Sequence, residues 1–83
     1  MPWTENNHKL KQEFSFKDFK TGLDFVNKIG QIAEKIGHHP DIFLSWGKVK
    51  VETTTHDQGG KITDLDRQLA QMIDNLFVEF SHS

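Results

Sequence analysis

The chain contains no cysteine, which excludes disulfides, a thiolate zinc site and a cysteine nucleophile. It has no basic excess. Its net charge is −2, so an electrostatic grip on nucleic acid is not expected. It has no long apolar run, since none reaches even 10 residues, which is short of a membrane span or a signal-peptide core. A cytoplasmic protein without membrane contact is the expectation. No repeat, linker or low-complexity tract interrupts its 83 residues, so a single domain over 1–83 is expected. A chain of this size buries roughly 63% of its unfolded surface, an adequate but thin core that oligomerisation would help. What is present is a hydrophobic fraction of 35%, with seven Phe and two Trp, and five histidines. The aromatic content is enough for a folded core. The histidines are the chemical oddity.

The apolar pattern changes period along the chain. Trp3 can pack, and Asn6-Asn7 reads as a turn, so that Met1–Phe16 could form a first hairpin. From His8 to Phe16, Leu10, Gln12, Phe14 and Phe16 alternate with Lys9, Lys11, Glu13 and Ser15, as in a half-buried strand. Ser15 and Asp18 resemble a capping box. Phe19, Leu23, Val26, Ile29, Ala33 and Ile36 then recur at three or four, with Phe25 and Ile32 widening the stripe: a helix of about five turns, with Gly37 as its left-handed stop and Pro40 beyond. Asp41–Trp46 and Lys48–Thr55 alternate around Gly47 and read as a hairpin. Asp57 to Gly60 is a loop. Thr63 and Asp66 form a second capping box before the stripe Leu65, Leu69, Met72 or Ile73, Leu76 and Phe80. Strand, strand, helix, strand, strand, helix, each with one apolar face, predicts an α+β fold of two layers: an antiparallel four-stranded sheet with two helices on one face.

His38 and His39 stand just past the first helix, and His56 just past the second hairpin. Side chains at the ends of rigid elements can converge on a cleft, and histidine gives or takes protons near neutrality. Each residue also has an ordinary explanation. A histidine near a helix C-terminus favours the macrodipole, and adjacent histidines in a loop are often solvated. Asp66 can simply bond backbone amides as the third residue of its box. Trp46 and the Phe set read as core, Lys48 and Lys50 as a solvated face, and His8 and His82 as incidental surface residues. A metal site is disfavoured, because adjacent histidines rarely reach one ion and no H-x-x-x-H spacing occurs.

The string Glu34-Lys35-Ile36-Gly37-His38-His39-Pro40, followed by Trp46 and then Thr55-His56, resembles the pterin-4a-carbinolamine dehydratase family. The family pattern is an acidic residue, three spacers, His-His-Pro, an aromatic after five more, a His after nine more, and then an Asp. Phe14 to Phe19 looks like the family's strand-to-helix entry, and Thr55-His56-Asp57 with Gly59-Gly60 and Thr63 like its loop before the last helix. The resemblance covers roughly Trp3 to Phe80. It implies the same β-β-α-β-β-α fold. It also implies dehydration of 4a-hydroxytetrahydropterin to quinonoid dihydropterin, in the recycling of the tetrahydrobiopterin used by aromatic amino-acid hydroxylases, without a metal or organic cofactor. By resemblance His38 and His56 would be the acid/base pair. His39, with Pro40, would hold the pterin. Thr54, Thr55 and Asp57 would line the pocket, and Asp66 would orient or tune a histidine.

Two departures stand out. Nine residues separate His56 from Asp66 where eight are expected, which makes Lys61 look inserted and Asp64 a competitor for the acidic role, although the Thr63 register favours Asp66. Many members also carry an N-terminal helix before the tryptophan that this sequence does not show. Some members act as dimerisation partners of a homeodomain transcription factor, so an interaction module is the competing function. A weakly active relative in another pterin-linked role is a third. Family members form dimers and tetramers, and a homo-oligomer is expected.

Overall fold

The computed structural model describes residues 3–56 and 59–81. Met1, Asp57 and His82, all named above, lie outside the described residues. The elements in chain order are β1 (Thr4–Asn6), β2 (Lys9–Ser15), α1 (Phe19–Ile36), β3 (Asp41–Ser45), β4 (Lys48–Thr53) and α2 (Asp64–Ser81). The strands form one antiparallel sheet in the order β1-β2-β4-β3, with β2 and β4 central. Both helices pack on one face of it.

The pairing registers put the apolar strand positions on the helix side except Phe43, which lies across from Lys50 on the other face and, unlike the core position expected of it, is exposed. Leu10 lies across from Thr53, Gln12 from Val51 and Phe14 from Val49; on the other flank Ile42 faces Val51 and Leu44 faces Val49. Phe14, Phe25, Ile29, Val49, Val51, Leu69 and Ile73 are fully buried between the layers. Phe14 is the hub of an aromatic cluster, with ring centroids 5.0 Å from Phe25 and 4.9 Å from Phe77, in the tilted and edge-on arrangements that ring quadrupoles favour. Trp3 joins its edge and donates from its indole to Asp74 at 3.0 Å, tying β1 to α2. Gly22 lets α1 approach β3 closely, because a Cβ there would come within 3.2 Å of the Leu44 side chain.

Several boundaries differ from the sequence reading, each for a local reason. The first hairpin turns at Asn7 and His8, not Asn6 and Asn7. Both have positive φ, as a two-residue hairpin turn requires. Asp18, rather than Ser15, caps α1, accepting from the Thr21 amide at 2.8 Å; hydrogen bonding to Thr21 holds its carboxyl below the usual range. The buried stripe of α1 runs through Gly22, Phe25, Ile29 and Ala33, which leaves Phe19 and Leu23 exposed. In α2, Leu65 is likewise exposed. Trp46 is not core: it sits in the β3–β4 turn and is 70% exposed. β4 leaves the sheet after Thr53, and Thr55 instead makes an isolated bridge to Lys61. No helix among the described residues is long and apolar enough to cross a membrane.

Candidate active site

The site forms where α1 ends, β4 leaves the sheet and α2 begins. Gly37 adopts the left-handed conformation that most side chains resist, so α1 stops there. Its amide and that of His38 (3.1 Å) both donate to the Ala33 carbonyl, satisfying a helix-end acceptor and fixing where His38 leaves the helix. On the other side, Thr53, Thr54 and Thr55 run off the end of β4 and point alternately inward and outward, as a pleated strand dictates.

Gly37, His38, His39, Thr54 and His56 line an open cavity of about 270 Å³. The three histidines singled out in the sequence therefore meet at one place. They meet in different states of constraint. The His38 side chain is only 11% exposed, and its Nε2 lies 2.6 Å from Asp66 Oδ1. His39 is exposed and pairs through Nε2 with the exposed Glu34 carboxylate one helical turn before it. His56 is exposed, and its carbonyl accepts from the Gly59 amide at 3.0 Å. Thr54 Oγ1 donates to the His8 carbonyl at 2.8 Å, which pins the cavity wall to the first hairpin.

Asp66 lies behind the cavity and is 0% exposed. Its Oδ1 accepts from Thr53 Oγ1 at 2.6 Å and faces His38; its Oδ2 accepts from Thr55 Oγ1 at 2.7 Å and from the Thr63 amide at 2.9 Å. Burial alone would push the carboxyl up. The Thr53 hydroxyl, His38, the Thr63 amide and the Thr55 hydroxyl together outweigh that and hold it below the usual carboxylate range. The same carboxylate meets both the Thr63 amide and His38. It closes half of the capping box on Thr63 and it anchors a histidine. Asp64, the competing acid, is exposed in the first turn of α2.

Of the pocket residues proposed from the sequence, His38, His39, Thr54 and His56 line the cavity. Thr55 is buried, and its hydroxyl serves Asp66 and Thr63. Pro40 is half-buried where the chain passes from the histidine pair into β3. One contributor went unnoticed in the sequence, Thr53 as a hydroxyl donor; Glu34, read as the acidic residue of the family pattern, is placed as the partner of His39. A signal for Thr53 existed. Thr53 and Thr55 continue the inward face of Val49 and Val51, and hydroxyls on a core-facing strand need a polar partner.

The topology, with three histidines around one cavity, describes a class of protein, and comparisons with known proteins bear on its family and fold. The sequence profile of the family described as pterin 4 alpha carbinolamine dehydratase matches residues 1–76. The chain belongs to this family. It is 49% identical over 73 residues to a Saccharolobus islandicus protein provisionally named pterin-4-alpha-carbinolamine dehydratase, covering 88% of this chain and 73% of that one. A Thermosynechococcus vestitus protein given the same provisional name is 49% identical over 76 residues, covering 92% and 79%. Among solved structures, a transcriptional coactivator/pterin dehydratase from Brucella melitensis superposes with a TM-score of 0.82 at 31% identity, over 88% of this chain and 79% of that one. A pterin dehydratase-like RuBisCO assembly factor of the alpha-carboxysome shares the fold, with a TM-score of 0.78 at 20% identity, over 92% and 89%.

Proposed function

We propose that this protein is a 4a-hydroxytetrahydrobiopterin dehydratase, a hydro-lyase that removes water from the pterin 4a-carbinolamine to give dihydropterin. The observation that carries the reading is the meeting of His38, His39 and His56 around one cavity, with His38 anchored by a buried carboxylate. The reaction needs only two proton transfers. The carbon–oxygen bond breaks as the leaving hydroxyl gains a proton and departs as water, and a ring N–H proton goes to a base. His38 suits the base role: with Nε2 committed to Asp66, Nδ1 is the nitrogen left to accept a proton, and the carboxylate stabilises the imidazolium that results. His56, exposed and lining the same cavity, would donate to the hydroxyl. His39, steadied by Glu34, would hold the pterin, with Thr54 beside it. Water in the open cavity would return the proton from His38 to His56 between turnovers. This chemistry fits tetrahydrobiopterin recycling in a cytoplasmic setting. The test is dehydration of freshly generated 4a-hydroxytetrahydropterin, followed by ultraviolet absorbance. The expected result is a rate rising in proportion to protein. A rate equal to that without protein would sink the reading.

A second reading, as a protein-interaction module, has its own observation. The edge strand β3 exposes Phe43, and Trp46 stands out from the adjoining turn. The Brucella relative's description as coactivator as well as dehydratase supports considering it. A pull-down that recovers no partner except further copies of this chain would count against this module. The same edge supports self-association into a homodimer or homotetramer.

A further inference from the structure

We propose that Thr53 and Thr55 are positioning residues for the reaction: their hydroxyls fill the acceptor sites of Asp66 so that the carboxylate can only accept from His38, which fixes that histidine as the Nε2–H tautomer with Nδ1 free for the substrate. The inference rests on the dehydratase reading for its kinetic consequence but not for its structural one.

An ionised carboxylate offers about four lone-pair sites. Here all four are taken. Thr53 Oγ1 and His38 Nε2 are each 2.6 Å from Oδ1, while Thr55 Oγ1 at 2.7 Å and the Thr63 amide at 2.9 Å occupy Oδ2. The Thr63 amide has no choice, since an N–H only donates. Thr63 Oγ1 is 2.7 Å from Thr55 Oγ1 but 3.5 Å from the carboxylate. The hydroxyl protons therefore order one way, from Thr63 to Thr55 and from Thr55 to Asp66. With three protein donors fixed, a proton on Asp66 would face other donors at every position. The fourth partner, His38, must then donate from Nε2. Among the described residues nothing is bonded to His38 Nδ1.

The sequence pattern of β4 speaks for function rather than packing. Val49 and Val51 cover the same face and are fully buried, and valine would fill positions 53 and 55 with the same shape. Valine there would carry no hydroxyl to satisfy and would cost less in a core, unless a buried charge needs donors. Thr54, pointing the other way, bonds the His8 carbonyl and lines the cavity, so alternation divides three like residues into one wall and two supports.

The experiment uses the full chain as wild type and as Thr53→Val, Thr55→Val, Thr53→Ser and Thr55→Ser. Long-range proton–nitrogen correlation spectra taken at about pH 8, above the ordinary histidine range, read the His38 tautomer. Steady-state dehydration separates kcat from KM. The expected wild-type signal is the Nε2–H pattern. The valine variants should show a mixed tautomer and a kcat lower by roughly 10-fold, as for loss of a partner that orients a working ligand or base, with KM held within about 2-fold. The serine variants should restore both readouts. A wild-type His38 in the Nδ1–H form would overturn the proposal without any variant. So would valine variants that keep both the tautomer and kcat. If the protein proves inactive on the carbinolamine while the valine variants still mix the tautomer, the reaction assignment fails and the hydroxyl cradle stands.

Discussion

Asp66 is a carboxylate that folding removes entirely from water, and its charge persists because His38, two hydroxyls and one amide replace the water it loses. Its native pKa lies below the ordinary value, so its contribution to stability is fully present above about pH 4 and is lost as pH falls through the depressed native value. Asp66→Asn should cost about 2 kcal/mol or more at neutral pH, because an amide cannot accept from all four donors. The gap in melting temperature between wild type and variant should narrow below about pH 4. Asp18 also titrates low, so this difference isolates Asp66 from the general acid loss. A gap that stays constant down to acid unfolding would contradict the account. At this scale the histidines were legible in the sequence by their spacing, and Asp66 by its place in the capping box. Thr53 was not, because alternation assigned it to the core face without naming what it would meet there.

The end of α1 is the element on which the site depends. Gly37 has φ of 68° and open space where a Cβ would stand, so only the backbone conformation resists a side chain there. Gly37→Ala should cost about 1 kcal/mol, which lowers the melting temperature by about 4–8 °C, and Gly37→Asn should cost less, since asparagine tolerates the left-handed region. Differential scanning calorimetry of the two variants checks this, and an unchanged melting temperature in Gly37→Ala would contradict the helix stop. Gly37, Pro40 and the three-four stripe made this element readable in advance. Its phase was less so. Phe19 and Leu23 fit the stripe but sit outside it, because the close approach of α1 to β3 at Gly22 rotates the buried face toward Phe25 and Ile29. Trp46 failed for a similar reason: period two carried it into β3, but two residues had to form the turn, and the turn projects it into solvent.

At the scale of the molecule, four strands and two helices among the described residues enclose one core, and the sheet ends on one side at β3 with Phe43 and Trp46 uncovered. The other edge, β1, is only three residues long and carries Glu5 paired to Arg67, which blunts it. Among the described residues, the β3 edge is the more open to strand pairing. Light scattering at micromolar protein should return a mass of at least twice the 9.6 kDa chain. A single-chain mass over that range would contradict self-association. Fold class and the helix-on-one-face arrangement followed from the periods. Strand order did not, because pairing β2 with β4 across the intervening helix is a long-range choice that no local pattern encodes.

The central claim is that the histidine cavity performs the dehydration. Its most direct measurement is kcat/KM for 4a-hydroxytetrahydropterin in wild type, His38→Ala and His56→Ala, with circular dichroism to show that each variant is folded. The account predicts a catalysed rate in wild type and a loss on the order of 10²-fold or more in each variant, the lower range for general acid/base groups. Full activity in both folded variants would contradict it.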